Sequence, residues 1–258
     1  MSPAPEAVIF DLDDTLIDTS RVFFEARESF IAAMVGCGYA ERLARHTFEA
    51  TDERNLARFG YISERNLITM RECYEALLPT RDHPFSAAIL QRIALIGVKC
   101  LYQLPRPFPY SRKLLTWCSR RYRMALLTRG SQALQNSKIE KLGVRRLFEK
   151  ISVVERKDSK AFEQIVDFLK CRPEQCVSVG DSMRFDVLAA IEIGMSAIHV
   201  QYPLSHLQWK HDNVTAGEVH GKSLWKAASL HEAREILERF AERAGAGAST
   251  ARPNRALQ

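Results

Sequence analysis

Ala7-Val8-Ile9-Phe10-Asp11-Leu12-Asp13-Asp14-Thr15 is the stretch that decides the fold. Four apolar residues end abruptly in acids. A short apolar run of this kind reads as a strand buried on both faces, as in a parallel sheet, with polar groups delivered at its C-terminal end. The pattern returns further along the chain. Met124-Ala125-Leu126-Leu127 ends at Thr128-Arg129, Ile151-Ser152-Val153-Val154 precedes Arg156-Lys157, and Cys176-Val177-Ser178-Val179 runs into Gly180-Asp181-Ser182. Residues 197–200 predict a further strand. Helical stretches lie between them: 133–142 closed by Gly143, 160–169, and 186–193 closed by Gly194. Residues 111–122 carry Leu114, Leu115, Cys118 and Tyr122 on one stripe. Strands alternating with helices predict an α/β domain with a parallel sheet.

The segment between the first two strands has a different rhythm. Residues 20–104 read as helical almost throughout, over 22–35, 40–59 and 87–104, with punctuation at Gly36-Cys37-Gly38, Gly60, Pro79 and Pro84. Pro105-Arg106-Pro107-Phe108-Pro109 is a rigid connector, because proline fixes φ and restricts the residue before it. The expected organisation is an α/β core of residues 1–18 and 105–242, interrupted by an all-helical insertion over 19–104. Its aromatics Phe23, Phe24, Phe30, Tyr61 and Tyr74 read as the insertion's own core. Residues 224–242 predict an amphipathic C-terminal helix, and the Ala/Gly/Ser/Arg/Pro composition of 243–258 predicts a disordered tail.

Composition bounds the function. Of 258 residues, 46% are hydrophobic and 26% charged, so the chain can bury a globular core. No apolar run reaches the length of a membrane span. Residues 1–6 carry no basic region followed by an apolar stretch, so a cytoplasmic protein without a leader is expected. The six cysteines form no CxxC. The pairs Cys171/Cys176 and His206/His211 lack common zinc spacing, and reduced thiols are expected. Trp209 and His211 fall in a loop-like stretch and read as surface packing. The net charge of +6 is uneven, since residues 106–170 hold 16 bases against 6 acids. Solvated helix faces account for that excess, with attraction of an anionic substrate as a further reading. No nucleic-acid partner is expected.

In open α/β sheets, ligands bind at the carboxyl ends of the strands. Here that edge collects Asp11, Asp13, Thr128, Arg129, Lys157, Asp181 and Asp186. Carboxylates at Asp11, Asp13 and Asp181 repel one another unless a cation sits among them, and hard, oxygen-seeking Mg2+ suits such a set. Thr128 and Lys157 are donors. Donors, a metal and a free carboxylate are what phosphoryl transfer requires.

These residues resemble the haloacid dehalogenase-like hydrolase superfamily. Its DxDx(T/V) motif matches Asp11-Leu12-Asp13-Asp14-Thr15, its strand-ending Ser/Thr matches Thr128, and its GD(S/T)x3–4D motif matches Gly180-Asp181-Ser182 through Asp186. The resemblance implies a Rossmann-like parallel sheet core with an inserted helical C1 cap closing over the site. It implies a phosphatase in which Asp11 attacks phosphorus and Asp13 serves as general acid, then base. Asp11, Asp13 through its backbone carbonyl, Asp181 and Asp186 would hold or order Mg2+. Thr128 and Lys157 would bind the phosphoryl oxygens. An acid at position 13 favours phosphate esters over carbon–halogen bonds, since dehalogenases of this superfamily carry a non-acidic residue there. Two positions depart from the pattern. Lys157-Asp158 lacks the usual proline after the lysine, which leaves Lys160 as a rival to the preferred Lys157. Arg129 stands where Asn is frequent, and reads either as a ligand for a second anionic group or as a solvent-facing residue. The expected substrate is a small phosphorylated metabolite, bound by a monomer or homodimer with no membrane partner. A phosphotransferase such as a mutase, or a non-catalytic binding protein of the same fold, are the alternatives.

Overall fold

In the computed structural model, which describes residues 5–60, 62, 64–80, 85–202 and 224–249, the apolar runs become neighbouring strands. In chain order, β1 (Ala7–Phe10) precedes four helices: α1 (Thr19–Gly36), α2 (Glu41–Phe59), α3 (Arg65–Leu77) and α4 (Ala87–Tyr102). Then come α5 (Ser111–Cys118), β2 (Arg123–Arg129), α6 (Gln132–Leu142), β3 (Lys150–Val154), α7 (Ser159–Leu169) and β4 (Cys176–Gly180). A π-helical turn (Met183–Leu188) leads into α8 (Ala189–Glu192), followed by β5 (Ser196–Val200), β6 (Leu224–Ala227) and α9 (Leu230–Ser249).

These six strands form one sheet in the order β3-β2-β1-β4-β5-β6, and every pair in it is parallel. Its central strands β1 and β4 are buried throughout, because side chains alternate between two faces that helices cover. Val8, Phe10, Met124, Leu126, Val177 and Val179 pack toward α5, α6 and α9. Ala7, Ile9, Ala125, Leu127 and Cys176 pack toward α7 and α8. Each large side chain so buried contributes roughly 1.5–3 kcal/mol of transfer free energy. The register puts Phe10 beside Leu126 on one side and Val179 on the other. Asp11, Thr128 and Asp181 therefore emerge at one edge.

The chain divides into two compact units, one running up to Asp18 and resuming at Pro107, the other spanning Thr19–Arg106. The second unit is helical. Phe30 of α1 and Phe48 of α2 stack with centroids 5.5 Å apart. Gly97 of α4 lets Leu67 of α3 approach so closely that a Cβ there would lie 2.4 Å from Leu67 Cδ1. Phe30 and Tyr74 are buried, whereas Phe23 and Phe24 are half-buried. Tyr61, His206, Trp209 and His211 lie outside the described residues.

Three elements differ from the sequence reading. The helix expected over 111–122 ends at Cys118, though Tyr122 still packs inward. Residues 183–188 wind as a π-turn rather than as ordinary helix. The stretch 224–242 is not one helix. Its first four residues form β6, paired with β5 through Ile198 and Trp225, and α9 starts at Leu230. Leu-Trp-Lys-Ala is too short to show a period, and its partner strand is distant in sequence, so pairing overrides local pattern. A capping signal was present: Ser229 Oγ accepts from Glu232 N at 3.2 Å, while Glu232 reaches back to Ala228 N at 2.8 Å. The helix also runs to Ser249, beyond the expected boundary at 242 and despite Gly245 and Gly247. Residues 250–258 lie outside the described part of the chain.

Candidate active site

Asp11 leaves β1 with its N–H donating to Val179 O at 2.9 Å, which ties the start of the acidic loop to the end of β4. The loop then turns tightly. Leu16 and Ile17 N–H groups both donate to Leu12 O, and Asp14 takes φ +59°. Thr15, buried in this turn, clasps the β4 loop. Its hydroxyl accepts from Asp181 N at 3.0 Å and donates to Asp181 Oδ1 at 3.2 Å.

Beyond β4 the chain places Asp186 under Gly180. A Cβ on Gly180 would lie 2.2 Å from Asp186 Cγ, so only glycine leaves room for this carboxylate. Ser182 caps the π-turn, its Oγ accepting from Phe185 N at 3.1 Å, and Ser182 N donates to Asp186 Oδ2 at 2.9 Å. The π-turn is what aims Asp186 back at the strand ends.

As a result Asp11, Asp181 and Asp186 each present an oxygen within 4.8 Å of the others. Lys157 enters the same group. Its Nζ donates to Asp11 Oδ1 at 2.6 Å and forms an ion pair with Asp186 Oδ1. Lys160, the rival, is exposed on α7. Asp11 Oδ2 is buried with no hydrogen-bond partner. Burial, the neighbouring Asp186 and Asp13 together outweigh the pull of Lys157 and push the Asp11 carboxyl up to about 7. Asp181 is raised well above the carboxylate range by burial first, then by Asp14, Asp11 and Asp186. For Lys157, burial favours the neutral amine, but Asp11 and Asp186 outweigh it and raise its pKa. With three acids against one lysine in a low-dielectric site, the acids cannot all stay ionised without a further cation. An orphaned carboxylate oxygen within a cluster of hard oxygen donors fits a divalent cation such as Mg2+.

Asp13 is elsewhere. Its carboxylate is not part of the three-acid cluster. Instead, Asp13 Oδ1 accepts from Lys138 Nζ at 2.7 Å and Oδ2 accepts from Gln135 Nε2 at 2.6 Å. Gln135 Nε2 also lies 2.6 Å from Thr128 Oγ1 and 3.0 Å from Arg129 O. The Thr128 hydroxyl accepts there, so its own proton is left to donate. The Arg129 guanidinium lies 4.3 Å from the centroid of the Phe185 ring and lines a cavity of about 420 Å³ with Arg156, Lys157 and Arg184.

Four residues that hold this site escape sequence reading as site residues: Thr15, Gln135, Lys138 and His199. His199 Nε2 meets Asp181 O at 2.7 Å. Gln135 and Lys138 carry a weak signal, an i, i+3 polar pair on the helix that follows Thr128. Both are buried, and that is visible only in the fold. Among the described residues no helix is long and apolar enough to cross a membrane.

Residues 5–194 match the family described as haloacid dehalogenase-like hydrolase. The chain is 29% identical to a glyceraldehyde 3-phosphate phosphatase of Methanothermobacter thermautotrophicus over 90% of this chain and 99% of that protein. It is 32% identical to the N-acylneuraminate-9-phosphatase of Rattus norvegicus over 74% of this chain and 80% of that one. A haloacid dehalogenase-like family hydrolase from Xanthomonas campestris superposes with a TM-score of 0.75 at 25% identity, covering 95% of this chain and 99% of its own.

Proposed function

We propose, for a chain that belongs to the haloacid dehalogenase-like hydrolase family and is a phosphatase, that it hydrolyses phosphate monoesters of small metabolites with Mg2+ through a phosphorylated Asp11. The observation that carries this reading is the group of Asp11, Asp181 and Asp186 around the buried Lys157, Asp11 and Asp186 buried and Asp181 half-buried, with one Asp11 oxygen lacking a partner. Asp11, Asp181 and Asp186 would hold Mg2+, which when bound supplies the positive charge that a transferring phosphoryl group needs.

The remaining chemistry belongs to the chain. An Asp11 carboxylate oxygen attacks phosphorus. The bond from phosphorus to the ester oxygen breaks, and that oxygen leaves with the electron pair and takes a proton from Asp13. Water then attacks the phosphorus of the acyl phosphate, giving its proton to Asp13. The bond from phosphorus to the Asp11 oxygen breaks, releasing inorganic phosphate and restoring Asp11. Thr128 donates its free hydroxyl proton to a phosphoryl oxygen. Lys157 holds Asp11 and Asp186 and offers positive charge to the same group. We assign Arg129 a second anionic group of the substrate, and the helical unit the choice of substrate as a cap.

Release of phosphate from p-nitrophenyl phosphate tests this reading. The parent should require Mg2+ and lose activity on chelation. Asp11→Asn should lose about 10³-fold or more, as expected when a covalent nucleophile is removed. Equal rates in parent and variant would end the proposal.

A further inference from the structure

We propose that Lys138 and Gln135, on α6, are positioning residues that hold Asp13 where it serves the ester's leaving oxygen. The inference rests on the acid–base role given to Asp13 above and adds the device that sets its geometry. Lys138 is only 8% exposed and Gln135 only 1%. A lysine so buried is uncommon, and it stays in the fold only against a paired acid. That acid is Asp13, whose side chain keeps 28% exposure while that of Lys138 keeps 8%. The ammonium is committed to the pair, and the carboxylate still reaches the open side of the site.

Both oxygens of Asp13 are gripped, Oδ1 by Lys138 and Oδ2 by Gln135. Two donors on two oxygens fix the plane and azimuth of a carboxylate that a single contact would leave free to rotate. They also hold it apart from Asp11, Asp181 and Asp186, which a fourth carboxylate would crowd. Gln135 spans from Asp13 to Thr128 through one nitrogen. The proton-transfer group and the phosphoryl-binding hydroxyl are thereby set at a fixed spacing by a single side chain. A tether of this kind matters because small displacements at reacting atoms cost large factors in rate.

The test uses two esters that differ in how much they need a proton. p-Nitrophenolate leaves without help, whereas the alkoxide of glycerol phosphate does not. Lys138→Met, which keeps the stem and removes the charge, should lower kcat on glycerol phosphate about 10-fold or more beyond its effect on p-nitrophenyl phosphate, within the range of general acid catalysis. KM should move little on either ester, and Lys138→Arg should recover most of the loss. Gln135→Met gives the same two-ester comparison from the other carboxylate oxygen if Lys138→Met does not fold. Equal losses on both esters would reduce the contact to a structural ion pair and overturn the proposal. A change confined to KM would make Lys138 a substrate ligand and would overturn it too. Asp11→Asn and Asp13→Asn run alongside. Parent-like rates in Asp11→Asn would sink the reading of the site itself. An inactive Asp11→Asn and an ester-dependent loss in Asp13→Asn, without one in Lys138→Met, would sink only the role of α6.

Discussion

In the helical unit, Asp52, Asn55, Arg65 and Thr69 are buried between α2 and α3, and the charged pair among them is matched, although Asn55 Oδ1 has no hydrogen-bond partner. Asp52 Oδ1 accepts from Thr69 Oγ1 at 3.4 Å and pairs with Arg65 Nε at 3.4 Å, while Asn55 Nδ2 donates to Glu72 Oε2 at 2.9 Å. In the sheet unit, Asp11 and Asp186 are as deeply placed and Asp181 is half-buried, yet the three crowd like charge against like around a single lysine. Acids of one chemical type thus serve two ends. Between α2 and α3 the charges are balanced inside the protein and specify how two helices meet. At the strand ends three acids share one lysine, an imbalance that the proposed Mg2+ would neutralise. Burial alone does not mark a functional acid; what marks it is burial with the compensation withheld.

The comparison can be broken first in the helical unit. Asp52→Ala should destabilise the protein by about 3–5 kcal/mol, because it strands Arg65 in a buried position without its acid. Thermal or denaturant unfolding measures this, and a loss within error would mean that the pair is not compensating as argued.

The opposite sign is expected in the sheet unit. In metal-free protein, Asp11→Asn should gain stability on the order of a few kcal/mol at about pH 8. The raised Asp11 pKa means that the folded protein keeps a proton which the unfolded chain releases from 3.8 upward. Stability from this group is therefore complete at low pH and is lost as the pH climbs through about 7. Asparagine has no proton to lose, so the gain should disappear near pH 4. Urea titrations with a chelator at the two pH values check the sign, and a loss at pH 8 would contradict it. Adding Mg2+ at pH 8 should then stabilise the parent more than the variant.

The smallest effect sharpens the contrast at a single residue. Asp14 holds φ +59°, a conformation that glycine adopts without a steric penalty. Asp14 also adds to the charge that raises Asp181. Asp14→Gly should stabilise the metal-free protein by up to about 1 kcal/mol. A clear loss would show that Asp14 contributes contacts outweighing its strain.

Much of this molecule was legible before any coordinates. Short apolar runs ending in Asp11, Thr128, Val154 and Gly180 declared parallel strands and the edge where chemistry gathers, because burial and strand period are local properties of four or five residues. Gly143 and Gly194 ended helices as read, both at positive φ. Lys157 stands nearer than Lys160 to the end of its strand, and it is the lysine whose Nζ meets Asp11. What local pattern did not carry were contacts closed over long separations. Gln135 and Lys138 reach Asp13 across more than a hundred residues, and nothing in their own helix names that partner. β6 exists because β5 offers it an edge, not because Leu-Trp-Lys-Ala insists on being a strand. The folding of Asp186 beneath Gly180, through a π-turn, depends on the missing Cβ and on Lys157 arriving from another strand end. Residue type and spacing determine which groups a strand end presents; only the packed sheet and its helices decide which of them touch, since a contact's free energy depends on geometry that no single segment contains.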